Sequence, residues 1–276
     1  MSRYRYPMSM QLLLPRDYRN DREIDDRLRA LRDAGFSGVE LNIVDPELVE
    51  PAELAAFLDG YGLSMVALAT GAAARAHGLS LSDPDAARRD LAVERTRRFV
   101  GFSAAMGAAV IVGYLQGPPG PDPRLLRPLF RESLSRLDPV VRAARVPLVV
   151  EAVTRFYSPV ATRLDQAWEI VRDFDNPWFR IMPDTFNMNI EEKDVREALR
   201  VHLGRYDAVH FSDNNRLFPG HGAIDFAGLA QFLREIGFKG RIGIEGEIER
   251  SFREDLAVCM AVLGPALAVE GGAATR

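Results

Sequence analysis

Short apolar segments of strand length alternate along the chain with longer segments of helical period, and this alternation restricts the fold more than any other feature. Strictly alternating strands and helices with short connections predict a parallel sheet covered by helices. Eight such units in 276 residues leave about 34 residues per unit, which suits a closed (β/α)8 barrel of roughly 250 residues. The predicted strands span residues 8–14, 38–42, 63–69, 108–113, 147–151, 179–184, 207–213 and 241–245.

Helix boundary patterns support this arrangement. Gly35 follows the first amphipathic segment as a helix stop, and Ser251 and Glu254 form an S-x-x-E capping box that begins the last helix. No G-x-G-x-x-G follows the first strand, which argues against a dinucleotide-binding doubly wound sheet. We therefore predict an α/β fold consisting of a single (β/α)8 TIM barrel domain over residues 1–276, with outer helices and a frayed tail at 270–276.

Composition excludes several classes of function. The net charge is −4, from 35 basic and 39 acidic residues, whereas a nucleic-acid-binding surface normally shows a basic excess. No segment approaches the roughly 20 apolar residues that span a bilayer, and the apolar run near the start is too short for a signal peptide. A single cysteine, Cys259, excludes an internal disulfide framework. We expect a cytoplasmic protein in which Cys259 is a small buried hydrophobe.

Three carboxylates and one histidine follow the last four predicted strands. Catalytic groups in a (β/α)8 barrel lie at the C-terminal ends of the strands, where the βα loops gather. Side chains at equivalent places on successive strands can converge on one point, and converging carboxylates repel one another unless a cation lies among them. A mostly oxygen site of this kind suits Mn²⁺, Mg²⁺ or Co²⁺. The four residues are Glu151, Asp184, His210 and Glu245.

Five sequence blocks resemble a known family: VVEAVTRF, MPDTFNMNIEE, VHFSDNNR, PGHGAIDF and IEGE. They are similar to the xylose isomerase-like TIM-barrel superfamily of sugar (phosphate) isomerases and epimerases, and most of all to its D-tagatose 3-epimerase and D-psicose 3-epimerase type. The resemblance implies one divalent ion, with Mn²⁺ as the first expectation, held by Glu151, Asp184, His210 and Glu245. It implies Glu151 and Glu245 as the acid/base pair and Arg216 as a substrate contact, and it implies a homodimer or homotetramer.

The chain departs from that family at three sugar-facing positions. Tyr157 stands where the epimerases commonly have a glutamate, Asn187 where they have a histidine, and Thr154 where they have an asparagine. The predicted metal ligands are unaffected by these changes. We therefore expect the metal chemistry to be retained and the sugar to differ from tagatose and fructose.

The predicted chemistry is epimerisation of a ketose through a metal-stabilised enediolate. One glutamate removes the proton beside the carbonyl, and a second glutamate returns a proton on the opposite face. The same residues would also serve an aldose–ketose isomerase, or a dehydratase of the inosose or dehydroshikimate type. More distant alternatives are a C-glycoside-cleaving subunit, an endonuclease IV-like phosphodiesterase and a non-catalytic sugar-binding barrel. The phosphodiesterase needs more histidines than the 4 in this chain.

Further polar residues are candidates for substrate binding. Arg155 and Arg216 follow strands that carry predicted ligands, so they could contact substrate oxygens or form surface ion pairs. His77 follows the third strand at some distance, and we predict that it contacts substrate. His221, in the PGHG segment, could cover the site or be a solvated loop residue, and Glu247 is expected to be a solvated loop residue beyond the last strand.

Overall fold

The computed structural model describes residues 3–269 and contains a parallel eight-stranded sheet surrounded by helices. The strands pair in the order β6-β5-β4-β3-β2-β1-β8-β7, so neighbours in the chain are neighbours in the sheet. This order confirms the predicted TIM barrel. The predicted frayed tail, 270–276, lies outside the described residues.

The strands and helices have the following bounds. The strands are β1 (Met8–Leu13), β2 (Gly38–Asn42), β3 (Ser64–Ala69), β4 (Ala109–Val112), β5 (Leu148–Glu151), β6 (Phe179–Met182), β7 (Ala208–Phe211) and β8 (Arg241–Ile244). The α-helices are α1 (Arg22–Ala34), α2 (Pro51–Asp59), α3 (Gly71–His77), α4 (Ala86–Met106), α5 (Pro123–Ala144), α6 (Leu164–Val171), α7 (Thr185–Glu191), α8 (Val195–Val201), α9 (Phe226–Glu235) and α10 (Phe252–Leu267). Three short 3₁₀ segments join some of them: Pro46–Leu48, Tyr114–Gln116 and Arg172–Phe174.

Local capping sets the helix ends. The side chain of Asp21 accepts hydrogen bonds from backbone N–H groups in the first turn of α1, and Gly35 ends that helix with φ 87°. The Ser251 hydroxyl accepts from the backbone N–H of Glu254 at the start of α10, as the S-x-x-E pattern predicts. The same hydroxyl donates to the Glu254 carboxylate at 2.6 Å, so the two side chains bond to each other directly.

The barrel closes at the seam between β6 and β7, which are the two ends of the strand order. An isolated parallel bridge joins Asp184 to His210 across this seam. The backbone N–H of His210 donates to the carbonyl of Pro183 at 2.9 Å, and that of Ile181 donates to the carbonyl of Arg205 at 3.1 Å. Two predicted ligands therefore lie where the sheet meets itself.

Two helices were not predicted from the sequence. Helix α3 lies directly after β3, and α7 begins at Thr185, directly after Asp184. The sixth strand accordingly ends at Met182 rather than at residue 184, because Asp184 caps α7 by accepting a hydrogen bond from the backbone N–H of Asn187. Both helices position residues around the C-terminal end of the barrel.

The core lies between the sheet and the helices. Cys259 in α10 is fully buried in it, as predicted, and burial raises the pKa of its thiol far above the ordinary range. The interior of the barrel contains a second, smaller apolar cluster of Ala67, Ile111, Val149 and Met182. Among the described residues, none of the helices combines the length and apolar character needed to cross a membrane.

Candidate active site

The four predicted ligands meet at the C-terminal end of the barrel. Glu151 is the last residue of β5, His210 is the third of β7, Glu245 directly follows β8, and Asp184 precedes α7. One donor atom from each lies within 4.8 Å of the other three. Asp184 and His210 are fully buried, and Glu151 is 7% exposed.

Three of the donor atoms are buried and have no hydrogen-bond partner among the residues that the structure describes. They are Glu151 Oε1, His210 Nδ1 and Glu245 Oε2. His210 Nδ1 lies 2.8 Å from Glu245 Oε2, 3.6 Å from Glu151 Oε1 and 4.0 Å from Asp184 Oδ2. Ligands of one ion with bonds of about 2.1 Å lie roughly 3 to 4 Å apart. Buried polar atoms rarely lack partners, so the residues present fit a divalent cation.

A buried glutamate that the sequence analysis missed orients His210. Glu40, in the middle of β2, is 1% exposed and accepts hydrogen bonds from His210 Nε2 at 2.7 Å and from Ser9 Oγ at 2.7 Å. This contact leaves His210 Nδ1 directed at the three carboxylates. A carboxylate on the outer nitrogen of a ligating histidine fixes the ring and raises its basicity. A lone carboxylate inside the buried segment GVELN was the available clue in the sequence.

Two glycines provide room for these side chains. A Cβ at Gly243 would lie 2.5 Å from Glu40 Oε1 and 2.8 Å from His210 Cδ2. A Cβ at Gly113 would lie 2.5 Å from Glu151 Oε2. Contacts this short are not observed for real side chains, so the site geometry requires glycine at both positions.

Arg216 reaches the cluster from the loop after β7. Its backbone has φ 64°, and its carbonyl accepts from the N–H of Glu247 at 2.7 Å. Its Nη1 donates to Asp184 Oδ2 at 2.9 Å, and its Nη2 donates to Glu245 Oε1. The guanidinium also lies over the ring of Phe186, 5.1 Å from the centroid. Arg216 therefore supplies a fixed positive charge beside two of the three carboxylates.

The two glutamates differ in acidity. Burial, together with the charge of Glu245, raises the pKa of Glu151 to about 7. Burial acts in the same direction on Glu245, but the charge of Arg216 and the imidazole of His210 close by outweigh it and lower the pKa of Glu245 to about 2. Burial likewise raises the pKa of Asp184. Near neutral pH the pair thus contains one carboxyl group that can hold a proton and one that is ionised.

The pKa of His210 is also shifted. Burial alone would lower it, but the charge of Glu40 and the carboxylates of Glu151 and Glu245 that face Nδ1 raise it well above its usual value. In the opposite sense, the charge of His210 outweighs burial and lowers the pKa of Glu40. His210 therefore carries a proton that a cation must displace in order to bind Nδ1.

A cavity of about 190 Å³ opens over the cluster. Its wall includes both glutamates and Arg216, and on the side of α3 it includes Arg75 and Tyr114. Its wall also contains Asn42, whose Nδ2 donates to Gln11 Oε1 at 2.7 Å. The cavity is polar, and it leads directly to the carboxylates.

Two of the five predicted substrate contacts line this cavity, namely Arg216 and Tyr157. Asn187 is buried away from it, and its Oδ1 accepts from the backbone N–H of Thr154 at 2.9 Å. Arg155 points to the surface, where it forms a two-bonded ion pair with Glu191.

The remaining candidates lie at the edge of the site. His77 bonds to Asp45 through Nε2 at 2.7 Å and does not line the cavity. Glu247 is exposed, as expected, and contributes to the cavity wall. His221 lies between two carboxylates, with Nδ1 3.1 Å from Glu249 and Nε2 3.4 Å from Asp255. That arrangement holds the loop after β7 against the loop after β8.

Comparison with known proteins gives one family. A family model described as xylose isomerase-like TIM barrel matches residues 28–262. An L-ribulose 3-epimerase from Mesorhizobium japonicum is 29% identical over 241 residues, which cover 85% of this chain and 79% of that protein. A 3-dehydro-D-guloside 4-epimerase from Escherichia coli is 30% identical over 148 residues, which cover 51% of this chain and 56% of that protein. Both relatives are named as epimerases, which are isomerases acting on carbohydrates.

Solved structures agree with this result. A structure of L-ribulose 3-epimerase aligns with a TM-score of 0.73 at 25% identity, covering 93% of this chain and 86% of that chain. The structure of a 3-keto-D-glucoside 4-epimerase from E. coli aligns with a TM-score of 0.75 at 21% identity, covering 93% of this chain and 99% of that chain. At the latter identity the likeness shows the fold alone.

Proposed function

This chain belongs to the xylose isomerase-like TIM barrel family, and we propose that it is a divalent-metal-dependent ketose 3-epimerase whose acid/base pair is Glu151 and Glu245. The names of its relatives support sugar epimerisation as the class of reaction. The proposal concerns the residues that carry the chemistry, the ion and the carbon at which the substrate is inverted.

One observation carries the proposal: the convergence of three buried, unpartnered donor atoms from Glu151, His210 and Glu245, next to the carboxylate of Asp184. These four residues would hold one divalent ion. Mn²⁺ is the first choice, and Mg²⁺ and Co²⁺ suit the same mostly oxygen ligand set. When bound, the ion supplies Lewis acidity that polarises a carbonyl oxygen.

The protein side chains perform the proton transfers. One glutamate takes the proton from the carbon beside the carbonyl, which leaves an enediolate, and the other glutamate delivers a proton to the opposite face of that carbon. Arg216 lines the cavity beside Glu245 and donates hydrogen bonds to substrate oxygens as negative charge develops. Glu40 holds His210 in place throughout. The proton removed from C3 is replaced by one on the opposite face, so the composition of the sugar is unchanged and the product is the C3 epimer.

The test is hydrogen exchange at carbon. Protein loaded with Mn²⁺ is incubated in D₂O with a panel of ketopentoses and ketohexoses, together with deoxy, phosphorylated and cyclic ketone analogues. We expect deuterium at C3 of the substrate. Label at C1 instead would identify an aldose–ketose isomerase, and loss of water would identify a dehydratase.

Variants assign the roles of the residues. Glu151→Gln is expected to abolish formation of the C3 epimer even where it retains some metal, because an amide neither takes up nor delivers a proton. Glu249→Gln is the matched control, since it removes a half-exposed carboxylate from the loop after β8 without touching the cluster, and it is expected to exchange as the wild type does. Folded, metal-loaded wild type that exchanges with no ketone in the panel would refute the epimerase assignment.

A further inference from the structure

A second cavity lies beside the first. Its volume is about 350 Å³, and it shares Arg75, Tyr114 and Tyr157 with the cavity over the carboxylates. Its remaining wall comes from the loop after α3 and from the glycine- and proline-rich segment that follows Tyr114, including Pro118 and Pro119. A substrate bound at the cluster therefore has room to extend past the two tyrosines into this second space.

Arg75 stands at the junction of the two cavities. It lies in the last turn of α3, and its guanidinium carbon is 4.6 Å from the centroid of the Tyr114 ring. Stacking on an aromatic ring positions an arginine while its N–H groups remain available to a ligand.

No carboxylate of the described residues forms an ion pair with Arg75, whereas other arginines around this end of the barrel are paired. Arg88, in the wall of the second cavity, pairs with Asp83 at 3.1 Å. Arg155 pairs with Glu191 at 2.7 Å. The charged groups that line the second cavity are Arg75, Arg88 and Asp83. Once Arg88 and Asp83 neutralise each other, the charge left is the positive charge of Arg75.

We infer that the substrate is a ketose with an anionic group, a phosphate or a carboxylate, at the end remote from the reacting carbons, and that Arg75 binds this group in the second cavity. The inference rests on the proposed function for the position of the reacting carbons. An arginine offers two parallel N–H donors that match either anion. A neutral hydroxyl group would not provide a counter-charge, and the one carboxylate among the described residues of the second cavity, Asp83, is already paired with Arg88.

Binding of unreactive polyols tests this inference without relying on turnover. D-Glucitol, D-glucitol 1-phosphate and D-gluconate have the same carbon chain and differ only in the group at C1. Calorimetric titration of each into Mn²⁺-loaded protein is expected to give affinity at least about tenfold higher for one charged ligand than for glucitol. The two charged ligands separate phosphate from carboxylate as the preferred group.

Variants show whether Arg75 causes the preference for a charged ligand over glucitol. Arg75→Gln is expected to remove most of it, Arg75→Lys to keep part of it because the charge remains, and Arg155→Gln to keep all of it because that arginine lines neither cavity. A gluconate preference that survives in Arg75→Gln would place the carboxylate at the ion instead of at Arg75. Equal affinity of the wild type for all three ligands, or a preference unchanged in Arg75→Gln, would overturn the inference.

The outcome is independent of the exchange experiment. An Arg75-dependent preference without deuterium exchange would reject the epimerase and keep the anion site. Exchange at C3 together with no charge preference would keep the epimerase and reject the anion site. Thermal melting of each variant verifies folding, which we expect to be retained because Arg75 is exposed at a helix end.

Discussion

Replacing Glu40 by glutamine tests how the protein prepares His210 for its ligand role. Glutamine has nearly the same shape, and its amide oxygen can still accept the hydrogen bond from His210 Nε2 that Glu40 now accepts at 2.7 Å. The substitution therefore removes the charge and keeps the contact. Since the charge of Glu40 is the main influence that raises the pKa of His210, its loss makes the imidazole a weaker ligand.

The expected magnitude follows from this position behind a metal ligand. Changing the carboxylate that supports a ligating histidine typically lowers metal affinity by about 10- to 100-fold, which corresponds to about 1.4 to 2.8 kcal/mol of binding free energy. The free energy of unfolding should fall only slightly. Glu40 is 1% exposed, so removing its charge lifts a desolvation cost, and the imidazole of His210 keeps a carboxylate neighbour in Glu245, 2.8 Å from Nδ1. We expect the Tm of the metal-free protein to change by only a few degrees.

The assay is a competition titration of Mn²⁺ against a fluorescent chelator, with thermal melting of the metal-free protein in parallel. Ser9→Ala is the control, because it removes the other hydrogen bond to Glu40 and leaves the charge beside His210. That variant should bind Mn²⁺ within about threefold of the wild type. A Glu40→Gln protein with wild-type affinity, or one that loses affinity only in step with its Tm, would refute the positioning role.

Three other predictions concern the site and the assembly. Gly113→Ala brings a Cβ within 2.5 Å of Glu151 Oε2, so we expect kcat to fall by about 10²-fold. Gly101→Ala should leave kcat unchanged, because its added carbon meets no described atom within 4 Å apart from its chain neighbours and the backbone of its own helix. Metal affinity should fall as the pH falls below about 7, because Glu151, with its pKa raised to about 7, and His210 are then both protonated and must release their protons when the metal binds. Calorimetry in buffers of different ionisation enthalpy should count about two protons released per metal ion below pH 7 and about one at higher pH. Metal binding that releases no protons at either pH would contradict this prediction. We expect a homodimer or homotetramer, and a monomer mass in light scattering at micromolar concentration would contradict that expectation.

Much of the barrel could be predicted from local pattern. The β2 strand matches its predicted bounds, and each of the other strands differs by one or two residues at one or both ends. The alternation of apolar strands with amphipathic helices repeats along the whole chain, so errors at single boundaries do not change the topology. Helices α3 and α7 were missed because each has 7 residues, too few to show a helical period.

The parts of the site that escaped prediction depend on distant contacts. Glu40 and His210 are 170 positions apart, so nothing near GVELN in the sequence indicates the bond between them. Arg155 follows a ligand-bearing strand, but its direction is set by Glu191, which lies 36 residues later on α7. Position after a strand predicted which residues reach the C-terminal end of the barrel. It did not predict which of them turn inward.

The seam between β6 and β7 restricts how this site can change. Asp184 and His210 present their side chains to the cluster, and their backbones form the bridge that completes the circumference of the barrel. A residue inserted between Met182 and Asp184, or before His210 in β7, would turn a ligand side chain away from the cluster. It would also break the backbone pairing that closes the barrel. Barrel closure and the ligand set therefore depend on the same two residues, and neither can change without the other. Variation in substrate is left to the rim, where Arg75, Tyr114 and Tyr157 take no part in holding the barrel shut.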